Sequence, residues 1–149
     1  MNLLSYLNKE LAGKSDENLE LISVICSVAD STVDIAMDTR VTGLKQIRGS
    51  ANEINVQGEE VQMLDQIANK SLIDSLSKNS SCAGYASEEI DEPLIFNQSS
   101  RFMVVADPLD GSSNISVNMP IGTIFGIIRN TDYGAVSYTH LRAHETQPY

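Results

Sequence analysis

The chain has 149 residues, enough for one domain that buries a hydrophobic core. Ten basic residues against twenty acidic ones leave a net charge of −10, which argues against a nucleic-acid backbone or an anionic membrane as partner. No apolar run is long enough to span a bilayer, and the first residues lack the pattern of a signal peptide. We therefore expect a cytoplasmic protein in which Cys26 and Cys82 are buried free thiols.

The N-terminal part of the chain carries helical periodicity. Residues 1–12 are predicted to form a short helix that ends at Gly13. Ser15 suits the cap of a second, longer helix over residues 16–37, because acidic residues follow it in the first turn. The apolar positions that recur along this helix, and that we expect to face the core, are Ile22, Ile25, Cys26, Ala29, Val33, Ala36 and Met37.

A third helix is predicted over residues 58–78, after a short helical turn at 43–48 and a polar loop at 48–55. Its apolar stripe consists of Val61, Leu64, Ala68, Leu72 and Leu76. Asp65 lies at the edge of this stripe. An acid in that position is either solvated or part of a functional site, and the periodicity alone leaves both readings open.

Three strands are predicted in the rest of the chain, over residues 82–87, 102–106 and 121–129. The first ends in two adjacent acids, Glu88 and Glu89, whose mutual repulsion a bound cation would relieve. A charged loop is the alternative. In the last strand, glycines at 122 and 126 share one face, so we expect a neighbouring element to approach that face closely.

The stretch from Asp107 to Asn114, which reads DPLDGSSN, is the strongest functional signal in the chain. An unbroken apolar strand precedes it, and Pro108 is expected to stop that strand and start a tight turn. Asp107 and Asp110 then lie three positions apart, followed by Gly111 and two serines whose N–H groups are accessible. Carboxylates bind Mg²⁺-type cations and exposed N–H groups bind phosphate oxygens, so the turn suits metal-assisted phosphate chemistry. An ordinary surface turn would have a similar composition.

The order of these residues resembles the metal-binding signature of class 1 fructose-1,6-bisphosphatases, within the superfamily of Mg²⁺-dependent, lithium-sensitive phosphatases. The similarity continues in residues 121–126, IGTIFG, and in residues 55–65, NVQGEEVQMLD, where the family pattern is Asn-Val-x-Gly-Asp-x-Val-x-x-Leu-Asp. The family also has a Ser-Glu-Glu-acid run where this chain has Ser87, Glu88 and Glu89. Ile90 replaces the third acid, and Glu59 replaces the usual Asp.

The resemblance implies roles for individual residues, each of which is an expectation at this point. Asp65 and Glu89 would position and deprotonate the attacking water. The groups that would hold the cleaved phosphate belong to Asp110, Gly111, Ser112 and Ser113. The metal ligands would come from Glu59, Glu88, Asp107, the carbonyl of Leu109, and Asp110. Mg²⁺ is the expected cofactor, with Mn²⁺ or Zn²⁺ as alternatives.

The resemblance also implies an α+β fold, in which long helices pack on a mainly antiparallel sheet, and a second α/β lobe that this chain lacks. The implied reaction is hydrolysis of the 1-phosphate of fructose 1,6-bisphosphate, in gluconeogenesis, by a full-length protein that is a homotetramer. The alternatives are a sedoheptulose-1,7-bisphosphatase or dual-specificity enzyme, and a phosphatase-like module that binds metal without turnover. The fragment alone is expected to be inactive.

The last fifteen residues do not resemble the segment that family members have after the strand at 121–129. We therefore interpret residues 1–134 as the N-terminal fructose-bisphosphatase-like domain and residues 135–149 as a non-native tail. The tail contains His140 and His144, whose spacing would suit zinc on a helix, but this interpretation excludes them from the site.

Overall fold

The structure is a computed structural model that describes residues 1–11, 13, 15–41, 63–112 and 120–133. Its helices are α1 (Leu3–Leu11), α2 (Asp16–Val41), α3 (Met63–Leu76) and α4 (Asn130–Tyr133). Its strands are β1 (Cys82–Ser87), β2 (Leu94–Ile95), β3 (Phe102–Asp110) and β4 (Gly122–Arg129). Three predicted helices and three predicted strands are present, whereas β2 and α4 are too short to have left a periodic signal. None of the described helices is long and apolar enough to cross a membrane.

Side-chain caps mark the start of α1 and of α2, and a glycine separates the two helices. The Asn2 Oδ1 atom accepts the N–H of Ser5 at 2.9 Å, and the Ser15 Oγ atom accepts the N–H of Asn18 at 3.2 Å. Both contacts satisfy amides that a helix leaves free in its first turn. Gly13 has a φ of 84°, a left-handed conformation that glycine adopts without steric cost, and it separates α1 from α2. The predicted cap at Ser15 is confirmed.

The buried face of α2 differs from the predicted one. Val24, Val28, Ser31 and Ile35 are buried, whereas Val33 and Met37 are 58% and 59% exposed. Of the predicted stripe, Ile22 is buried and Ile25, Cys26 and Ala29 are half-buried, so the prediction was wrong for its C-terminal part, Val33, Ala36 and Met37. Apolar residues occur on more than one side of this helix, so the periodicity could not select the side that meets α3. The helix also extends past residue 37, to Val41.

The stripe predicted for the third helix is confirmed where the structure describes it, because Leu64, Ala68, Leu72 and Leu76 are all buried. They join the buried residues of α2 and alternate residues of β1 and β3, including Tyr85 and Val104, in one hydrophobic core. Val61, the turn predicted at 43–48 and the loop at 48–55 lie outside the described residues. Cys82 is buried as expected, but Cys26 is only half-buried.

The four strands form one sheet in the order β2-β1-β3-β4. β1 pairs with β2 antiparallel, β1 with β3 parallel, and β3 with β4 antiparallel. Two of these three pairings are antiparallel, and α3 packs against the central strands β1 and β3. The predicted α+β lobe with a mainly antiparallel sheet is therefore confirmed.

Pro108 does not end the buried strand, contrary to the prediction. β3 continues to Asp110, and its register with β4 shifts between Asp107 and Asp110. The pairing with β1 has already stopped at Ala106, so the missing N–H of Pro108 leaves no ladder bond unmade on that side. A proline is tolerated here because it sits at an irregularity of the ladder.

Candidate active site

The acids predicted to bind metal emerge at one edge of the sheet. Ser87 at the end of β1 pairs with Ala106 of β3, and the two strands are parallel. Glu88 and Glu89 follow Ser87 directly, and Asp107 follows Ala106. Because neighbouring parallel strands run in the same direction, residues just beyond this pair lie side by side. The sheet topology thus brings together two sequence motifs that lie about twenty residues apart.

The carboxyl groups of Glu88 and Asp107 are in hydrogen-bond contact. Partial burial raises the pKa of the Asp107 carboxyl, and the negative charges of Asp110 and Asp65 raise it further. Two hydrogen bonds lower the pKa of Asp107 and so act in the opposite direction: that from the N–H of Leu109 to Asp107 Oδ1, at 3.0 Å, and that with the Glu88 carboxyl. Two carboxyl groups in contact either share a proton, so that one of them is neutral, or are both ionised with a cation between them.

Asp65 and Glu89 face this pair from two different elements. Asp65 lies in the first turn of α3 and is only 8% exposed, so it is not the solvated acid that its sequence position also allowed. Glu89 lies in the turn after β1. Although the residue is exposed overall, partial burial of its carboxylate raises its pKa, and the charges of Asp65 and Asp107 add to this effect. The carboxylates of Asp65, on α3, and Glu89, after β1, therefore lie close enough to Asp107 for their negative charges to interact with it.

The predicted phosphate turn comes immediately after β3. Asp110 is exposed, and Gly111 has a φ of 78°, which strongly favours glycine at this position. Ser112 is half-buried, while the Leu109 side chain is buried in the core. The Thr123 hydroxyl of β4 donates to the carbonyl of Pro108 at 2.8 Å and so ties the irregular part of β3 to its neighbour.

The structure brings together only part of the predicted site. Glu59 and Ser113 lie outside the described residues. Within the described ranges, no three His, Cys, Asp or Glu side chains are grouped closely enough to hold a metal ion. Glu88 and Asp107 form a contact pair, and the other acids surround them at electrostatic range. A groove of about 640 Å³ between α2 and α3 is lined mainly by serines and aspartates. None of the described acids of the predicted site lines this groove; these acids are Asp65, Glu88, Glu89, Asp107 and Asp110.

Two buried polar residues, Tyr85 and Asn69, were not identified from the sequence, and Ser87 was named only as the first residue of the Ser-Glu-Glu run. Tyr85 is fully buried, and Asn69 and Ser87 are nearly so. The sequence feature that could have identified them is Tyr85 itself, the one large side chain in the short strand β1. A buried phenol requires a hydrogen-bond partner, which predicts polar neighbours without identifying them.

An α+β lobe that gathers carboxylates at the ends of neighbouring parallel strands, beside a glycine turn, is typical of metal-dependent phosphatases. Residues 6–144 match the family model described as fructose-1-6-bisphosphatase, N-terminal domain. The chain belongs to the fructose-1,6-bisphosphatase family. The match extends past residue 134, and the domain boundary there stays a prediction.

Individual relatives agree with this assignment. The chain is 44% identical over 116 residues to a class 1 fructose-1,6-bisphosphatase of Psychrobacter sp. (strain PRwf-1), which covers 78% of the chain and 34% of the relative. It is 43% identical over 135 residues to the Psychrobacter cryohalolentis enzyme of the same name, covering 91% and 40%. The crystal structure of Leishmania major fructose-1,6-bisphosphatase in holo form superposes with a TM-score of 0.75 at 27% identity, covering 87% of the chain and 39% of that structure. The chain thus spans between a third and two fifths of the length of these relatives.

Proposed function

We propose that the whole protein to which this chain belongs hydrolyses the 1-phosphate of fructose 1,6-bisphosphate, giving fructose 6-phosphate and inorganic phosphate. The observation that supports this proposal most strongly is the family match over residues 6–144, together with the contact between Glu88 and Asp107. The relatives that carry this activity in their names are about two and a half to three times as long as the matched region.

The residues present fit a divalent metal ion by their chemistry. Carboxylate and carbonyl oxygens are the hard donors that Mg²⁺ and Mn²⁺ prefer. The Glu88 and Asp107 carboxyl groups are already in contact, a geometry that an intervening cation would stabilise. We propose that Glu88, Asp107, Asp110 and the Leu109 carbonyl hold the metal, with Glu59 as a further ligand by resemblance. When bound, such an ion neutralises phosphate charge and makes a water molecule more acidic.

The remaining acids have roles in moving a proton. We assign Asp65 and Glu89 to orient the attacking water and to accept its proton while the water oxygen bonds to phosphorus. The bond between phosphorus and the sugar oxygen breaks in the same displacement, and the sugar oxygen leaves with the bonding electrons and takes up a proton from solvent. The buried position of Asp65 on a rigid helix suits an orienting group, because the helix fixes where its carboxylate points.

The turn after β3 is assigned to the phosphate that is cleaved. Gly111 has no side chain, and its left-handed φ allows the amides beside it to face a common anion. Asp110, Ser112 and Ser113 complete this proposed cradle. The proposal includes Mg²⁺ as the physiological metal, a cytoplasmic location and a homotetrameric full-length protein, all three on the basis of the family resemblance.

A chimera tests this proposal. Residues 1–133 of this chain are joined to the remaining C-terminal part of the Psychrobacter cryohalolentis relative, and phosphate release is measured with Mg²⁺ present. We expect release from fructose 1,6-bisphosphate, and a loss of at least about a hundredfold in Asp107→Asn, because the change removes a ligand charge while keeping the side-chain shape.

The control is Asp91→Asn, which removes an exposed acid outside the proposed site and should keep full activity. A chimera that is folded by circular dichroism and binds Mg²⁺ by calorimetry, yet releases no phosphate from any sugar bisphosphate, would favour the non-catalytic module.

A further inference from the structure

Tyr85 connects α3 to the end of β1 through its phenol group. The side chain is fully buried, and its O–H donates to Asn69 Oδ1 of α3 at 2.9 Å. The same oxygen also makes a side-chain hydrogen bond with Ser87, two residues further along β1. Residues two apart in a strand share a face of the sheet, so both side chains point towards the helix. Since the phenol proton is directed to Asn69, the Ser87 hydroxyl is the donor in the second bond.

Ser87 extends this connection to the turn that carries the acids. Its Oγ atom accepts the backbone N–H of Glu89 at 3.2 Å, and its carbonyl accepts the N–H of Ile90 at 3.3 Å. The hydrogen bonds therefore run in a single direction, from the Glu89 amide through Ser87 and Tyr85 to Asn69. Each hydroxyl both donates and accepts, an arrangement in which neighbouring bonds strengthen one another.

Asn69, the last residue of this series of hydrogen bonds, lies on the same helix as Asp65, the other acid assigned to the attacking water. Asn69 comes four residues after Asp65 on α3, so the two side chains occupy the same helix face. Each is 8% exposed. Tyr85 thus bridges the face of α3 that carries Asp65 and the turn that carries Glu89. Glu89 comes after the last paired position of β1, so no ladder bond between the described strands holds it in place.

We propose that Tyr85, Ser87 and Asn69 are positioning residues that fix Glu89 relative to Asp65. The inference rests on the proposed function, in which these two acids orient the attacking water. None of the three touches the water or the substrate. They act by holding the turn after β1 against α3, so that two acids from different elements keep one spacing.

Amide hydrogen exchange of Glu89, followed by NMR in the 149-residue chain without metal, tests the connection independently of activity. Ser87→Ala removes the acceptor and Tyr85→Phe removes the next link, and each should speed exchange at Glu89 about fivefold relative to the core amide of Val104. Ser87→Thr keeps the hydroxyl and should restore the native rate. The matched control is Ser31→Ala, which removes a buried hydroxyl that donates to Ser27 in α2 and should leave Glu89 unchanged.

If Tyr85→Phe does not fold, Asn69→Ala breaks the same series at its other end and is measured instead. Exchange at Glu89 that is no faster than in Ser31→Ala would overturn the proposal. In the chimera with the Psychrobacter C-terminal part, Tyr85→Phe should lower kcat at least about fivefold with KM within twofold, because a positioning defect affects the chemical step. If the unmutated chimera has no turnover, the proposed function fails, and the exchange experiment still decides whether the connection exists.

Discussion

The Asp107 carboxyl group interacts with each of the other described acids of the proposed site, which are Asp65, Glu88, Glu89 and Asp110. It contacts the Glu88 carboxyl, accepts the Leu109 amide, and experiences the charges of Asp65 and Asp110. Burial and these like charges raise its pKa above the value for the unfolded chain. The protonated form therefore stabilises the fold, and this contribution is present below the unfolded pKa and is lost as the pH rises through the folded pKa.

Asp107→Asn should accordingly stabilise the metal-free chain at pH 7. The amide imitates the protonated acid and keeps an oxygen for the Leu109 N–H. We expect the melting temperature in EDTA to rise by a few degrees at pH 7, and the difference to shrink as the pH falls towards about 4, the ordinary range of an aspartate. Differential scanning fluorimetry across this pH range measures both effects.

Two further comparisons make that result specific. Asp91→Asn removes an exposed acid and should leave the melting temperature unchanged at every pH. Added Mg²⁺ should stabilise the native chain and not Asp107→Asn, since a ligand that binds only the folded state raises its stability. A lower melting temperature for Asp107→Asn at pH 7 in EDTA would contradict the conclusion that burial and neighbouring negative charges raise the pKa of Asp107.

Gly84 in β1 gives a second test at a single position. A Cβ atom there would lie 2.4 Å from the Leu94 carbonyl oxygen and 2.9 Å from the Met103 sulfur, so Gly84→Ala forces β2 or β3 to shift. We expect a loss of about 1–3 kcal/mol in the free energy of unfolding, measured by urea titration. Gly122→Ala is the matched control, because apart from its chain neighbours none of the described residues has an atom within 4 Å of the added methyl group. Equal losses in both variants would show that the strand spacing is described incorrectly.

Two kinds of interaction hold α2 in place. Val24, Val28 and Ile35 pack into the core, and acidic residues near its N-terminus make ion pairs with arginines just before the start of β3 and at the end of β4. Glu17 contacts Arg129 at 2.7 Å and Glu20 contacts Arg101 at 2.8 Å, with all four side chains at least partly solvated. Exposed ion pairs contribute less than about 1 kcal/mol each, so the apolar face dominates the stability of this packing.

Two valines on opposite sides of α2 test which face is buried. Val28 is completely buried and Val33 is 58% exposed. We expect Val28→Ala to lower the free energy of unfolding by about 2 kcal/mol through lost burial and a small cavity. Val33→Ala should change it by less than about 0.5 kcal/mol, since alanine also favours the helix. Urea titrations that give the reverse order would support the face predicted from periodicity over the one in the structure.

The described part of the chain exposes apolar side chains on several elements. Ile124 and Phe125 of β4 are 59% and 44% exposed, as are Leu4 and Tyr6 of α1 at 50% and 48%. Among the described strands only β3 pairs with β4. The relatives are more than twice as long as this chain, and catalysis needs metal, phosphate and sugar held in one geometry.

We therefore expect the 149-residue chain alone to release no phosphate from fructose 1,6-bisphosphate with Mg²⁺ present, in contrast to the chimera. A colorimetric phosphate assay at high protein concentration measures this, with Asp107→Asn as the background control. Turnover by the chain that Asp107→Asn abolishes would mean that the N-terminal lobe holds every group the reaction requires.

Local patterns in the sequence determined the three longer helices, the three longer strands and the identity of the acids. The Ser15 cap, the stripe from Leu64 to Leu76 and the apolar run after Arg101 each depend on neighbours within one or two turns, so they can be recognised without the fold. The motif around Asp107 identified the chemistry in the same way, because its residue types and spacing are consecutive.

Tertiary structure decided what depends on neighbours distant in the chain. Only the parallel pairing of β1 with β3 places Glu88 in contact with Asp107, and only the packing of α3 buries Asp65 beside them. The inward face of α2 and the continuation of β3 through Pro108 were decided in the same way. Periodicity fixes which residues share a face, but the free energy of burial depends on what that face meets, and this is set by contacts between elements.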